Sequence, residues 1–305
     1  MSTDSLPASP GGVIHDLGYR RYEGRRLGRA AIVRALYWHS LRSAFGIGRG
    51  AKAKIVPFLL FGLMCLPAIV NAVAAARGAG RVVEYDTYVY RFRTLVMLVF
   101  VAAQAPEMVS RDLRSHVLPL YMSRPLRRVD YPAAKYAAFT TACLVVLEVP
   151  LLLLYVGTIV SLHGLHAVWL ETRALIPGLG IGLAWAVLLA AIGLALACLA
   201  VRRAYATGAV AVYFFLTWVL ASILIGIAEN GPAAVGGTPP LSARLGGLIS
   251  PFTVLDGVRQ WLGGTSPGPV PPPGSAGVAY GVMYAALLVI SLWVLDTRYR
   301  RVGVS

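Results

Sequence analysis

Residues 175–201 read LIPGLGIGLAWAVLLAAIGLALACLAV, a run of 27 residues without a charged side chain. A helix needs ~20 mostly apolar residues to cross the hydrocarbon core of a bilayer. The run is therefore long enough and apolar enough to span a membrane as one helix. Small residues recur along it and predict close packing against neighbouring helices. They are Gly178, Gly180, Gly182 and Gly193.

The composition of the whole chain also favours a membrane protein. Of its 305 residues, 57% are hydrophobic and 13% are charged, and the mean hydropathy is +0.69. Soluble domains average roughly 25% charged residues, so this chain has too little polar surface to face water. The net charge of +15 does not indicate nucleic-acid binding, because the basic residues lie between apolar runs. The preference for Arg over Lys, with abundant Ala and Gly, indicates a high-GC bacterial genome and a bacterial plasma (inner) membrane.

The apolar runs together predict an all-α membrane protein with six transmembrane helices. The predicted spans are 55–76, 94–110, 133–162, 175–201, 206–228 and 277–295. They form one domain, 51–300, which contains a link at 111–132 and an outer loop at 229–275. Before this domain we expect a cytoplasmic tail (1–28) and an interfacial helix with a hinge (29–50), and after it a second tail (301–305).

The interfacial helix is predicted from its amphipathic pattern. One broad arc is apolar, although Arg34 falls inside it, and basic residues with Trp and Tyr just before a span suit a membrane interface. The arc consists of Ile32, Val33, Leu36, Tyr37, Leu41 and Phe45.

Basic residues near the span ends predict the orientation, because Lys and Arg concentrate on the cytoplasmic side. One orientation places four segments in the cytoplasm, namely the N-terminus, the 111–132 link, the turn between spans four and five and the C-terminal tail. In this orientation 20 basic residues are cytoplasmic and seven are on the other side. The chain is therefore predicted to have both termini in the cytoplasm.

A further helix is predicted in the outer loop, where Ser250 and Pro251 form an N-cap and first-turn proline. The alternatives are an amphipathic helix lying on or dipping into the outer leaflet, and an ordinary helix on the protein surface. The apolar face comprises Phe252, Leu255, Val258 and Leu262, and the polar face comprises Asp256, Arg259 and Gln260.

No catalytic or nucleotide-binding motif is found. Residues 46–52, GIGRGAK, approach a phosphate-binding loop, but Ala51 and Ala53 occupy the positions of a required glycine and a required Ser/Thr. We interpret the segment as a flexible hinge, so any ATP and Mg²⁺ would be bound by another chain and this chain carries no cofactor.

No metal site is predicted: His163 and His166, near Glu171, are interpreted as solvated loop residues. The cysteines, Cys65, Cys143 and Cys198, lie in apolar runs and are interpreted as buried hydrophobic residues.

Polar residues inside the predicted spans are candidates for function. Gln104 and Glu107 lie in the second span, and Glu107 precedes Arg111 by four residues, which suffices for a helical ion pair. Glu148 lies in the middle of the third span, where a charge is costly. It is either part of a substrate or proton pathway, or a structural partner for an arginine or for the backbone freed by Pro150.

The link between spans two and three has an ordered pattern. Residues 111–135 read RDLRSHVLPLYMSRPLRRVDYPAAK. The pattern has four parts in order. The second span ends with acidic and arginine residues, a leucine-rich link and a Ser-Arg-Pro follow, and the third span starts with an aromatic residue and then a lysine. The segment resembles the permease subunits of type-2 ATP-binding-cassette (ABC) exporters. It differs at Ser115-His116, where a glycine commonly follows the arginine in that family.

The resemblance implies a transport subunit without an ATPase of its own. It implies that the link docks on an ABC ATPase subunit, that a second permease copy or homologue completes the transporter, and that the membrane lipid surrounds it. The coupling residues it implies are Arg111, Asp112, Arg114, Leu118, Tyr121, Arg124, Pro125, Arg127 and Arg128. Two alternatives remain open, namely an ion- or proton-coupled secondary carrier using Glu148 and a membrane assembly factor. The two halves show no visible inverted repeat, which disfavours the carrier.

Overall fold

The computed structural model describes residues 24, 27–77, 93–114, 121, 126–160, 162, 164–200, 202–230, 240–262 and 276–302. These residues form α-helices joined by turns, with a short 3-10 turn at Gly247–Ile249 and no β-strand among them. The helices are α1 (Arg29–Ala44), α2 (Ala51–Ala76), α3 (Arg93–Arg114), α4 (Asp130–Ile159), α5 (Leu165–Leu199), α6 (Arg203–Glu229), α7 (Leu241–Gly246), α8 (Pro251–Trp261) and α9 (Gly277–Val302).

Six of these helices are long and apolar enough to cross a membrane, which confirms the predicted number of spans. They are α2, α3, α4, α5, α6 and α9. The chain is therefore a helical, multi-pass membrane protein. The predicted helix bounds were too short in places, most clearly in α5, which begins at Leu165 rather than at residue 175. His166 is consequently an exposed residue in the first turn of α5, and the interpretation of it as a loop residue was wrong; His163 lies outside the described residues.

Two helices form the centre of the bundle. In the most apolar 18-residue stretch of each span, 83% of the residues of α3 and 72% of those of α5 are buried, against 22% for α6 and 17% for α9. The least apolar span, α3, is thus the most enclosed one. A polar side chain on a central helix can find partners in its neighbours, whereas on a peripheral helix it would face lipid. In the second span Gln104 is accordingly 5% exposed, and the Ser110 hydroxyl donates to the Ala197 and Ala200 carbonyls at 3.4 and 3.3 Å.

The predicted helix before the first span is present as α1 and packs against α4 and α3. Every residue of the predicted apolar arc is at least partly buried, and Arg34 is exposed. The Tyr37 hydroxyl donates to the Thr141 hydroxyl at 2.9 Å and fixes α1 on α4. The apolar pattern of α1 is therefore used to cover the bundle.

The segment predicted as a hinge between α1 and α2 forms a turn with defined contacts. Gly46 and Gly48 adopt φ values of +68° and +87°, which favour glycine, and a Cβ on Gly46 would lie 2.5 Å from the Ala53 carbonyl oxygen. Arg49, in the middle of the turn, donates to a Glu107 carboxylate oxygen at 2.5 Å and to the Ser43 hydroxyl. Gly46 and Gly48 therefore shape a turn that holds an arginine against α3.

The helix predicted in the outer loop is present as α8, and its N-cap is confirmed. The Phe252 amide donates to the Ser250 hydroxyl at 3.3 Å, and Pro251 takes the first helical position. Neither predicted environment is found for its polar face, because Asp256 and Arg259 are each 4% exposed and lie inside the bundle. At the other end of α8, Leu262 is 72% exposed.

Three of the four glycines named between residues 175 and 201 permit close helix packing, as predicted. A Cβ on Gly182 would meet Glu148 of α4, one on Gly178 would touch Leu151 of α4, and one on Gly193 would lie 2.4 Å from a Val101 methyl of α3. Gly180 faces open space. The close approach of α4 and α3 to α5 therefore depends on the absence of a side chain at Gly182 and Gly193.

Gly193→Ala is expected to lower the stability of the purified protein by about 1–3 kcal/mol, because the new methyl group overlaps Val101 in the bundle centre. Thermal unfolding in detergent, followed by circular dichroism, measures the loss. The matched control is Gly208→Ala in α6, where a Cβ meets nothing within 4 Å. Equal unfolding temperatures for the two variants would contradict the assigned role of Gly193.

Candidate functional site

Ion pairs and polar contacts concentrate at the two ends of the bundle. At one end α3 and α5 finish and α4 and α6 begin, and we call it the basic end, defined by Arg49, Asp112, Lys135, Arg203 and Arg298. The opposite end carries the start of α3 together with α8. Those of the predicted ATPase-coupling residues that the structure describes fall at the basic end.

The end of α3 is fastened to the start of α4 by a buried lysine. Lys135 is 4% exposed, and its ammonium group lies 2.6 Å from an Asp112 carboxylate oxygen and donates to the Met108 carbonyl at 3.0 Å. The Tyr131 hydroxyl donates to the same carboxylate oxygen. The two helices flanking the 111–132 link are therefore joined by one charge-assisted network.

A row of tyrosines extends this network to the last helix. The ring centroids of Tyr121 and Tyr131 are 5.4 Å apart, and those of Tyr131 and Tyr299 are 5.2 Å apart. Tyr121 belongs to the link itself and Tyr299 to α9. Such contacts are in the range of favourable aromatic pairs, so the link, α4 and α9 meet at Tyr131.

Two further ion pairs bring α1 and α6 to the same end. Arg29 of α1 donates through Nε to Asp130 of α4 at 2.6 Å, and the Arg127 amide donates to the same carboxylate at 2.9 Å. Glu107 accepts from Arg49 and forms an ion pair with Arg203 at the start of α6. Arg111 was the predicted partner of Glu107, but its side chain is not among those that the structure describes. The partners that the structure does show come from distant parts of the chain.

The coupling residues implied by the resemblance are thus only partly placed. Asp112 and Tyr121 lie in the network around Tyr131, whereas Arg127 and Arg128 are exposed beside it. Arg111 and Arg114 are on the last turn of α3, but their side chains are outside the description. The remaining three lie outside the described residues, namely Leu118, Arg124 and Pro125.

The opposite end contains a buried arginine that sequence patterns did not single out. Arg93, at the start of α3, is 2% exposed, and its Nη2 lies 3.8 Å from an Asp256 carboxylate oxygen of α8. Its guanidinium carbon lies 3.7 Å from the centroid of the Trp185 ring of α5. A desolvated cation over a Trp ring is stabilised by about 2 kcal/mol. Arg93 therefore joins α3, α5 and α8.

Burial makes the charge on Asp256 costly. Desolvation raises the pKa of this carboxyl to about 6, and the nearby Arg93 and Arg259 act in the opposite direction. The two arginines thus favour the ionised carboxylate, and the ionised carboxylate offsets their own burial. Asp256 on the polar face of α8 is complementary in charge to Arg93, which explains why this carboxylate faces inward.

Phenylalanine packing holds α8 in this position. Phe252 is 1% exposed, and its ring centroid lies 5.4 Å from that of Trp185 and 5.4 Å from that of Phe214. Because Trp185 also stacks on Arg93, the apolar and the polar contacts of α8 converge on one side chain of α5.

Glu148, predicted as an intramembrane polar residue, lies beside this cluster. It lines a small cleft together with Arg93, Met64 of α2 and Gly182 of α5. Both of its carboxylate oxygens are buried without a hydrogen-bond partner in the part of the chain that the structure describes. A Cβ on Gly182 would lie 1.7 Å from one of these oxygens, so the glycine leaves the room that the carboxylate occupies.

No model of a known protein family matches this chain, and no curated protein matches it.

Arg93 and Asp256 are expected to show coupled effects on stability. Asp256→Asn or Arg93→Gln removes one partner of a buried charge pair and should cost about 3–5 kcal/mol. The double variant should cost clearly less than the sum, because it removes both charges. A double-mutant cycle of thermal or denaturant unfolding in detergent measures the coupling. Strictly additive losses would mean that the 3.8 Å approach contributes nothing.

Proposed function

We propose that this chain is the transmembrane permease subunit of an ATP-driven ABC exporter. The observation that carries the proposal is the 111–135 segment, which resembles the coupling segment of type-2 ABC exporters and whose described residues meet three helices at one end of the bundle. Asp112 and Lys135 join the helices on both sides of the segment, and Tyr131 contacts Tyr299 of α9. A displacement of this segment would therefore act on α3, α4 and α9 together.

The basic end is proposed to face the cytoplasm of a bacterium, with both termini inside. The excess of basic residues in the predicted inner segments supports this orientation. Arg127 and Arg128 are exposed at this end and can pair with acidic groups of an ATPase. ATP and Mg²⁺ would be bound by that separate subunit, because residues 46–52 of this chain lack the phosphate-loop residues and form the turn that holds Arg49.

Coupling would proceed through the ion pairs of the basic end. Closure of two ATPase subunits would push on the link, and the Arg29–Asp130 pair would carry the movement to α1. The pairs of Glu107 with Arg49 and Arg203 would carry it to α2 and α6. A second permease copy or a homologue would complete the pathway, and tilting of the spans would switch access from the inner to the outer side.

A secondary carrier coupled to ions or protons is the second candidate. Glu148 favours it, because both carboxylate oxygens are buried in a span without a hydrogen-bond partner among the described residues. Intramembrane carboxylates often mark proton or ion pathways. The two candidates differ in their energy source, which makes them separable by experiment.

Arg128→Glu is expected to reduce co-purification of an ATP-hydrolysing subunit from the native host by at least several-fold, because it reverses a charge in the docking segment. The readout is the ratio of the ATPase chain to the tagged permease, together with ATP hydrolysis of the purified complex. Arg202→Glu, an exposed arginine in the turn before α6, is the matched control and should retain the complex. Equal recovery of the ATPase with both variants would contradict docking at the link.

Glu148→Gln separates the two candidate functions. An ABC exporter should keep its dependence on ATP, measured as ATP-driven efflux from inverted vesicles, whereas a proton-coupled carrier should lose its response to an imposed pH gradient. Transport by the wild type that follows the pH gradient in the absence of ATP would reject the ABC proposal.

A further inference from the structure

One cavity in the bundle brings two buried charged groups of opposite sign together. Arg93 of α3 and Glu148 of α4 line it, and Met64 of α2 and Gly182 of α5 form part of the remaining, apolar wall. The space open to the centre of a water molecule is about 10 Å³, close to the minimum of about 10–15 Å³ that one buried water needs. The cavity can thus hold one small group and nothing of the size of a drug or a sugar.

Both charged residues that line the cavity have buried polar atoms that need hydrogen bonds. Nε and Nη2 of Arg93 and both carboxylate oxygens of Glu148 are buried, and none has a hydrogen-bond partner within the described ranges of the chain. Arg93 is 2% exposed, and its pair with Asp256, at 3.8 Å, is too long for a hydrogen bond. A buried polar group left without a partner costs about 1–3 kcal/mol, so a ligand that serves both residues would be strongly favoured.

The charges define the chemistry of that ligand. A cation would be repelled by Arg93 and an anion by Glu148, so a neutral group fits best. The guanidinium group only donates hydrogen bonds and the carboxylate only accepts them. The group between them must therefore accept from one side and donate to the other, which a hydroxyl group does with a single oxygen atom.

We propose that this cavity is a binding site for one hydroxyl group, which accepts a hydrogen bond from Arg93 and donates one to Glu148. The hydroxyl is supplied by a water molecule or by the alcohol of an amphiphile in the membrane. Gly182 keeps the site open, because a Cβ there would lie 1.7 Å from a Glu148 oxygen. The site does not depend on the proposed transport function, since it follows from the buried groups alone.

Met64 provides a direct readout for bound water. Its side chain lines the cavity, yet the residue is only 1% exposed, so bulk water cannot reach it. Radiolysis by a short X-ray pulse produces hydroxyl radicals from bound water in place, and these oxidise an adjacent methionine. Met97 and Met108 are 0% and 1% exposed and do not line the cavity, so they serve as internal controls.

The experiment uses the full chain in nanodiscs of phosphatidylcholine, with oxidation of each methionine measured by mass spectrometry. We expect Met64 to be oxidised at least several-fold faster than Met97 and Met108. Oxidation of Met64 at the rate of these two controls would overturn the proposal.

Two variants test the named contacts. Gly182→Ala should reduce the oxidation of Met64 to the level of Met97, because its methyl group takes the space next to Glu148. The matched control is Gly180→Ala, two residues away on α5, where a Cβ meets nothing within 4 Å and oxidation should persist. Glu148→Leu removes the acceptor without changing α5 and should also lower the oxidation. Undiminished oxidation in a folded Glu148→Leu variant would overturn the assignment of Glu148.

The two sources of the hydroxyl are distinguished by adding dioleoylglycerol, which has one free alcohol, with triolein as the control that has none. A fall in Met64 oxidation with dioleoylglycerol alone assigns the site to an alcohol that displaces water. Unchanged oxidation with both lipids assigns the site to water. Equal falls in Met64 oxidation with both lipids, with Met97 and Met108 unchanged, would overturn the assignment to a hydroxyl-specific site.

Discussion

The contact between Arg93 and Asp256 determines how one end of this bundle is assembled. A charged group inside a membrane protein is tolerated when a partner or a polarisable ring takes the place of water. Arg93 has both, since Asp256 lies 3.8 Å from it and Trp185 stacks on it at 3.7 Å. These contacts require α8 to fold back onto the start of α3 and the middle of α5. The loop between the fifth and sixth spans is therefore part of the bundle, through the helix that it contains.

Charged groups at the basic end also need partners that take the place of water, but here several ion pairs meet this need. There the ion pairs join helices that are far apart in sequence, with Glu107 holding Arg49 and Arg203, and Lys135 holding Asp112. Arg203 is 66% exposed in its side chain while Glu107 is 10% exposed, so this pair lies where the bundle meets its surroundings. An exposed pair contributes little to stability by itself. A connected set, however, links the helix ends to one another, which is what the proposed subunit, driven from that side, would require.

Much of the fold could be predicted from the sequence, because long apolar helices are specified by composition and length. The six spans, the apolar arc of α1 and the Ser250 N-cap are local patterns. Arg93 could not be predicted in this way, because hydropathy places a charged residue before a span in a loop. The pattern of α8 showed a polar face but not the buried arginine that it meets. Glu107 had a nearby candidate partner in Arg111, while its partners in the structure are 58 and 96 residues away. The link itself was recognisable as a pattern, but the function proposed for it depends on a second chain, which the sequence of one chain does not describe.

The central claim is that an ATP-binding chain contacts the link at the basic end. A photo-reactive amino acid placed at Arg128 in the native membrane tests it most directly, with the same group at Leu262, exposed at the opposite end, as the comparison. The account predicts a cross-link from position 128 to a chain with a phosphate-binding loop, and none to that chain from position 262. Cross-links to an ATP-binding chain from position 262 alone, or from neither position, would contradict it.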